Sequence, residues 1–220
     1  MNSGETITRR PLKSRDTKLA AAIARWLAHA GVRPNTISVA GAVFAAMAGT
    51  CLWFAGKMTP DWRWTVLLIL AACGMQLRLL CNLFDGMVAI EGGFKTKAGE
   101  IFNELPDRFS DAFIFIGAAY SVPEFAWTRE LGWTAAVFSV ITAYVRALGA
   151  SMGAGQQFIG PMAKQQRMAI MTAACGVGAL ALVWPWLVKI IPVALALVAA
   201  GCLVTIFRRC CRIAREMESK

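Results

Sequence analysis

The segment "NLFDGMVAIEGGFKTKAGEIFNELPDRFSD", residues 82–111, decides how this chain folds and what it does. It lies between apolar segments that are long enough to cross a bilayer, yet it carries a series of acidic residues and two asparagines at regular spacings. Ionisable groups are costly in hydrocarbon and usually face a cavity inside the protein. The segment therefore predicts a polar site at the edge of a membrane.

The apolar residues around this segment are grouped in spans of about 20 residues, which is the length that crosses a bilayer as a helix. The chain has 220 residues, of which 57% are hydrophobic and 16% are charged. The predicted fold is an all-α integral membrane protein with six transmembrane helices, and no room remains for a second soluble domain. The spans lie at approximately 36–56, 64–89, 99–121, 131–152, 167–186 and 187–207.

The flanking segments differ from the spans in composition. Residues 1–16 are basic and polar, and we predict that they are disordered. Residues 17–33 predict an amphipathic helix that lies in the membrane interface, before the transmembrane catalytic domain of residues 34–207 and a basic cytoplasmic tail of residues 208–220. The apolar face of the interfacial helix is formed by Leu19, Ile23, Trp26, Leu27 and Ala30.

The formal charge of +10 is distributed unevenly along the chain. Both terminal segments and the loops after the second and fourth spans hold sixteen Lys and Arg residues, whereas the opposite loops hold four. This asymmetry predicts that both termini are cytoplasmic. The basic surplus favours contact with anionic membrane lipids over nucleic acid, because no basic soluble module is present. The seven cysteines lack metal-site spacing and there is one histidine, so we expect the cysteines to be packing residues.

The polar side chains on either side of the central loop fall on two helix faces. Arg78, Asn82 and Asp85 are spaced i, i+4 and i+7 in the second span and share a face. The third span carries a matching edge, formed by Asn103, Asp107 and Asp111. Because a short loop joins the spans, we expect antiparallel helices whose polar faces meet. Such an oxygen-rich cup favours Mg²⁺ or Mn²⁺, which could bind a diphosphate.

Other interpretations of the polar residues remain open at this point. The acids could pair with Arg78, Arg108 and Arg146 inside the bundle, which would make the cluster structural. Intramembrane acids also mark ion pathways in transporters, although these acids gather at one side and no polar chain continues to the other. A purely structural scaffold would leave the spacing of glycines and acids unexplained.

The segment resembles the signature of the CDP-alcohol phosphotransferases, integral membrane enzymes of phospholipid synthesis that usually have six helices. That signature is Asp-x2-Asp-Gly-x2-Ala-Arg, about eight residues, and then Gly-x3-Asp-x3-Asp. The chain matches every spacing over 26 residues. The stretch "VRPNTIS" also looks like the family pattern, and residues 160–164, "GPMAK", are similar to a bacterial branch of it. The matching positions are Asn82, Asp85, Gly86, Ala89, Gly99, Asn103 and Asp107.

The resemblance implies transfer of a phosphatidyl-type group from a CDP-linked lipid, such as CDP-diacylglycerol, to a small alcohol or a phosphorylated alcohol, with release of CMP. It implies that Asp107 is also the general base and that the nucleotide pocket is shaped by Gly86, Ala89 and Gly99. It also implies a homodimer in a bacterial inner membrane, with the active site on the cytoplasmic side. The resemblance also implies a pair of divalent ions, Mg²⁺ or Mn²⁺, and the implied metal ligands are Asn82, Asp85, Asn103 and Asp107, with Asp111 as an additional one.

Three positions depart from the family pattern. Asn82 and Asn103 replace acids, and Ile90 replaces the arginine. An amide carbonyl can bind a hard cation but brings no charge, and each missing charge near a divalent ion matters by several kcal/mol. We therefore expect weaker metal binding, or one firmly held ion with a second that arrives on the substrate, although Asp111 and Glu104 can restore some charge. A family member that has lost catalysis is the rival interpretation.

Three basic residues near the cytoplasmic ends of the fourth and fifth spans are candidates for binding phosphate. Arg146, Lys164 and Arg167 would form a wall for the lipid donor or for a phosphorylated acceptor. Their alternative role is the ordinary excess of positive charge on the inner side of a membrane protein.

Overall fold

The computed structural model describes residues 17–94, 99–155 and 157–219, and these residues form helices and turns without a strand. The prediction of an all-α fold is confirmed. Residues 1–16, predicted to be disordered, lie outside the described residues. The helices are α1 (Lys18–His29), α2 (Pro34–Ala55), α3 (Trp62–Glu91), α4 (Gly99–Ala119), α5 (Trp127–Ser151), α6 (Lys164–Gly178) and α7 (Ile190–Glu218), with short 3₁₀ helices at Ala179–Leu182 and Pro185–Lys189.

The first three helices begin at residues that suit helix starts. The Thr17 side chain accepts a hydrogen bond from the first turn of α1, and Pro34 begins α2 after an extended Arg33. Asp61 caps α3 by accepting hydrogen bonds from two backbone amides of its first turn, at 2.9 and 3.0 Å. Gly31 takes a φ of 74°, which lets the chain turn sharply between α1 and α2.

Four helical segments among the described residues are long and apolar enough to cross a membrane: Pro34–Ala55, Trp62–Glu91, Trp127–Ser151 and Pro185–Glu218. The predicted count of six is therefore not confirmed by length and composition. Helix α4 is absent from this set because charged residues fill its first half, and α6 because it has only 15 residues. Many large apolar side chains on the bundle surface are exposed, as expected for helices that face lipid.

The fifth predicted span, residues 167–186, is not one continuous α-helix. Helix α6 ends at Gly178, and two 3₁₀ turns lead to α7 at Ile190. Pro185 disfavours the α conformation at the residue before it, and Trp184 has a ψ of 87°. At the other end, α7 continues through most of the residues predicted as a tail and stops at Glu218.

Helix α2 packs along both α3 and α4, so it holds these two helices in one bundle. The crossing of α2 and α4 is close because it is made by glycines. A Cβ atom on Gly117 would overlap the backbone of Gly49, and a Cβ atom on Gly49 would overlap the carbonyl oxygen of Phe113. The small residues of the spans thus allow the backbone contact that their composition predicts.

Helix α1 lies against α3 through small residues. Ala20 and Ala24 are buried in a cluster with Met87 and Val88, whereas Leu19 and Trp26 are 72% and 68% exposed. Large apolar side chains that face outward beside a transmembrane bundle suit a helix at the membrane surface. The interfacial position of α1 stays a prediction.

Candidate active site

The polar faces of α3 and α4 meet in a small cleft near one end of the bundle. The first turns of α2 complete the cleft, whose lining consists of Ser38, Gly41, Arg78, Asn82, Asp85, Pro106, Asp107 and Ser110. Asp85 and Asp107 are 4% and 8% exposed, so both carboxylates are largely screened from solvent. Helices α3 and α4 touch directly along little of their length, and their contact includes this polar cluster.

Asp85 is positioned by α2 as well as by its own helix. The Ser38 hydroxyl donates to Asp85 Oδ2 at 2.7 Å, and both residues are buried. Sequence reasoning missed Ser38 as a site residue. The available signal was its place in "VRPNTIS", one turn into α2, where the helix contacts the end of α3 that carries Asp85.

Asp107 is surrounded by donors from two other helices, α3 and α6. The Asn82 amide nitrogen lies 3.3 Å from each of its carboxylate oxygens, and Arg78 Nη2 lies 3.4 Å from Oδ1. Lys164, the first residue of α6, donates from Nζ to Oδ2. The candidate base thus forms ion pairs with Lys164 and Arg78.

Asp111 lies one turn deeper along α4 and is 1% exposed. Its Oδ1 accepts from Arg78 Nη2 at 2.9 Å, and its Oδ2 accepts from Arg167 Nη2 at 2.5 Å. Arg167 also donates to the carbonyl oxygen of Met162 at 3.0 Å. Asp111 is not among the residues that line the cleft, and both of its oxygens face guanidinium groups, so its predicted metal contact receives no support from this geometry.

The three basic residues predicted to form a phosphate wall are divided between two places. Lys164 and Arg167 point to the acids of α4, whereas Arg146 donates to Glu104 Oε1 at 2.5 Å, toward the more exposed end of α4. Arg108 also pairs with Glu104, at 3.0 Å. The ion pairs of the structural interpretation are therefore present, but Arg78 and Asp107, which form one of them, also line the cleft.

The remaining predicted site residues lie near the loop between α3 and α4. Gly86 and Ala89 are partly buried in the last turns of α3, and Gly99 begins α4. Asn103 belongs to α4 one turn before Asp107, but its side chain, like that of Glu100, lies outside the described residues. Their backbone positions thus lie at the end of the bundle that holds the cleft.

The donor set suits a single hard divalent ion. Among the residues that the structure describes, no three His, Cys, Asp or Glu side chains are grouped to hold a metal. The cleft nevertheless combines two carboxylates with the Asn82 amide, which can turn its oxygen toward a cation. Carboxylate and amide oxygens are the ligands that Mg²⁺ and Mn²⁺ take. Asp85, Asp107 and Asn82 therefore fit one such ion.

The charge of the described cluster does not fit a pair of ions. Its three carboxylates are matched by three basic side chains, so the cluster is neutral before any metal binds. Two divalent ions would leave four uncompensated positive charges in a site that is largely buried. The matched groups are Asp85, Asp107 and Asp111 against Arg78, Lys164 and Arg167.

No family model matches the chain. Individual proteins do: a phosphatidylinositol phosphate synthase of Cutibacterium acnes is 27% identical over 92% of this chain and 95% of that protein. The chain is a relative of the CDP-alcohol phosphotransferases. Phosphatidylinositol phosphate synthases belong to that family, so the resemblance that residues 82–107 carry is confirmed.

Solved structures show that the fold is shared with this family. The phosphatidylinositol phosphate synthase of Mycobacterium tuberculosis with CDP-DAG bound aligns with a TM-score of 0.73 and 23% identity, over 90% of this chain and 94% of that one. The same enzyme in complex with manganese and citrate aligns with a TM-score of 0.72 and 24% identity, over 88% of each chain.

A further relative bears on where the chain resides. The inner membrane protein YnbA of Escherichia coli is 25% identical over 66% of this chain and 67% of that protein. Together with the four apolar helices, these bacterial relatives indicate a bacterial membrane protein.

Proposed function

We propose that this chain transfers a phosphatidyl-type group from a CDP-linked lipid to an acceptor alcohol and releases CMP. The observation that carries the proposal is the placement of Asp85 and Asp107 on one cleft, on separate helices and next to basic side chains. Among the family relatives, one solved structure holds CDP-DAG. A transporter or a scaffold would not need these carboxylates to converge on one cleft at one end of the bundle.

The residues of the cleft would hold the donor and move one proton. A divalent ion bound by Asp85, Asp107 and Asn82, Mg²⁺ or Mn²⁺, would supply positive charge for the diphosphate. Asp107 would accept the proton from the acceptor hydroxyl, because its carboxylate lines the cleft, and Lys164 and Arg78 would orient it. The acceptor oxygen then bonds to the lipid-side phosphorus, and the bond from that phosphorus to CMP breaks, so CMP leaves with the electron pair.

The nucleotide is proposed to lie over the ends of α3 and α4. Gly86 and Ala89 follow Asp85 along α3, and Gly99 is the first residue of α4. Small residues at these positions let a cytidine approach the backbone closely. Asn103 would add an amide ligand one turn before Asp107, and the additional ligand role of Asp111 is retained only as a prediction.

We propose a phosphorylated alcohol as the acceptor, and inositol phosphate is the first one to test because relatives are named phosphatidylinositol phosphate synthases. Arg146 is the strongest candidate to bind its phosphate. It is only 21% exposed, yet its partner Glu104 is 48% exposed, so an anion from solvent can replace that carboxylate. Lys164 lies deeper, on Asp107, and Arg167 is committed to Asp111.

The proposed topology has six spans, which include α4, with Asp107 and Asp111, and α6, with Lys164 and Arg167. With α1 in the interface and both termini in the cytoplasm, the cleft opens to the cytoplasmic leaflet of the bacterial inner membrane. The polar contacts of the cleft support a site at one end of the bundle, since they join residues of α2 to α6 near the end of α3 that carries Asp85. The homodimer that the resemblance implies stays a prediction.

The direct test supplies the purified chain with CDP-diacylglycerol, Mg²⁺ or Mn²⁺ and a panel of alcohols, and measures CMP and the lipid product. We expect CMP only when a suitable alcohol is present, with inositol phosphate preferred over unphosphorylated inositol. Absence of CMP with every alcohol and both metals would remove the proposed activity.

A further inference from the structure

Arg78 combines deep burial with unused hydrogen-bonding capacity next to the candidate active site. The residue is 1% exposed and lines the cleft with Asn82, Asp85 and Asp107. Its Nη2 group donates to Asp107 and Asp111, but its Nε and Nη1 atoms have no hydrogen-bond partner among the described residues. Buried donors without a partner are uncommon in proteins and call for a ligand or another explanation.

The position of Arg78 along α3 places its positive charge beside Asn82. It precedes Asn82 by one helical turn, so the guanidinium and the amide that replaces a family acid stand on the same face. Lys164 adds a second positive charge, directly on Asp107. Asn82 thus stands where the family has an acid, and two basic side chains, Arg78 and Lys164, contact the carboxylate of Asp107.

From this arrangement we infer that Arg78 takes the place of a second divalent ion, so that the site binds one Mg²⁺ or Mn²⁺ per chain, with or without the donor. The described cluster is neutral, one divalent ion adds two positive charges, and the diphosphate diester of a CDP-linked lipid carries two negative ones. One of the unused donors of Arg78, Nε or Nη1, binds an oxygen of that diphosphate, since hydrogen bonds from a charged guanidinium to phosphate are strong. This assignment rests on the proposed function for the identity of the donor, but not for the number of ions.

The stoichiometry is measured with the full-length chain in detergent, by titration with Mn²⁺ and detection of free Mn²⁺ by electron paramagnetic resonance. The wild-type chain is expected to bind one Mn²⁺, and still one after CDP-diacylglycerol is added without an alcohol. Two ions per chain in either state, or none in both, would overturn the inference. Because no turnover is needed, this result does not depend on whether CMP is ever formed.

A variant that is more negative by two charges tests whether Arg78 itself sets the number of bound ions. The double substitution Asn82→Asp/Arg78→Met makes the cluster more negative by two charges, which equals the charge of one divalent ion, and it is expected to raise the stoichiometry from one Mn²⁺ to two. The matched control Ala22→Asp/Arg25→Met makes the same change of charge on exposed positions of α1 and is expected to stay at one. A variant that folds, judged by gel filtration and circular dichroism, and still binds one ion would contradict the role of Arg78.

The diphosphate contact is tested separately with Arg78→Lys, which keeps the charge but removes the two unused guanidinium donors. Its affinity for CDP-diacylglycerol, measured by calorimetry, is expected to fall at least about tenfold while one Mn²⁺ is still bound. Unchanged affinity for CDP-diacylglycerol would remove the phosphate contact. A chain that binds one Mn²⁺ but never releases CMP with any alcohol would refute the proposed function and leave the ion count standing.

Discussion

Arg78 of α3 and Asp111 of α4 form an ion pair of 2.9 Å in which each side chain is 1% exposed. Arg167 of α6 binds the other carboxylate oxygen of Asp111 at 2.5 Å, so one acid connects three helices. A buried charge is stable only when its partners remain, and the loss of one partner leaves the others uncompensated. Asp111 is therefore central to the structure that holds the cleft.

Replacement of Asp111 by Asn is expected to destabilise the folded chain by about 3–5 kcal/mol, because two buried guanidinium groups lose their common counter-charge. The measurement is the unfolding midpoint in detergent, followed by tryptophan fluorescence. Glu104→Gln is the matched control: it breaks ion pairs of a carboxylate that is 48% exposed, and we expect a loss of about 1 kcal/mol or less. Equal effects of the two substitutions would contradict this account of Asp111.

The glycine crossing of α2 and α4 gives a second prediction about stability. Gly117→Ala places a Cβ atom on the backbone of Gly49, so the helices must separate, at a cost of about 1–3 kcal/mol or more. Gly176→Ala in α6 is the control, since a Cβ atom there meets nothing within 4 Å and should stabilise the helix by up to about 1 kcal/mol. Thermal unfolding compares the two. A Gly117→Ala chain as stable as the wild type would show that the crossing is looser than described.

Removal of divalent metal is expected to stop turnover. Excess EDTA should abolish CMP release because the diphosphate would lose the positive charge that the cleft residues hold in place. Addition of Mn²⁺ or Mg²⁺ beyond the chelator should restore the rate. Activity that persists unchanged in excess EDTA would refute the metal site and its proposed ligands Asp85, Asp107 and Asn82.

Arg146→Ala is expected to weaken the apparent affinity for a phosphorylated substrate by about tenfold or more, since a charge-assisted hydrogen bond contributes about 1.5–3 kcal/mol. The KM of the acceptor and the affinity for CDP-diacylglycerol are measured together, to show which substrate depends on the residue. Arg129→Ala, at an exposed position near the start of α5, serves as the control and should change neither. If Arg146→Ala leaves both affinities unaltered, Arg146 lies outside the site.

Sequence reasoning reached the parts of the fold and site that depend on local spacing. Helical periodicity placed Asn82 and Asp85 on one face and Asp107 on a facing edge, and the structure brings these residues to one cleft. Periodicity cannot show which donor from a distant helix reaches a given acid. The contacts of Ser38 with Asp85, and of Lys164 with Asp107, join residues 47 and 57 positions apart and required the packed structure.

Span prediction was limited by a different physical effect. Hydropathy averages over a window, so it cannot separate a continuous helix from an apolar stretch that turns. Residues 167–186 are apolar almost throughout, yet the α-helix ends at Gly178 before Pro185 begins a 3₁₀ turn. Helix α4 shows the reverse case. It is one continuous helix, but the charged residues of the site lower the hydropathy of its first half, so length and hydropathy do not select it as a span.

The most direct test of the central claim compares CMP release by the wild-type chain with that by Asp107→Asn, under saturating CDP-diacylglycerol, Mn²⁺ and inositol phosphate. Asn keeps the shape of the side chain but cannot accept the proton, so we expect a fall of at least about 100-fold. Asp61→Asn, which retains the cap of α3 far from the cleft, should keep the wild-type rate. A chain with Asp107→Asn that folds and releases CMP at the wild-type rate would contradict the account.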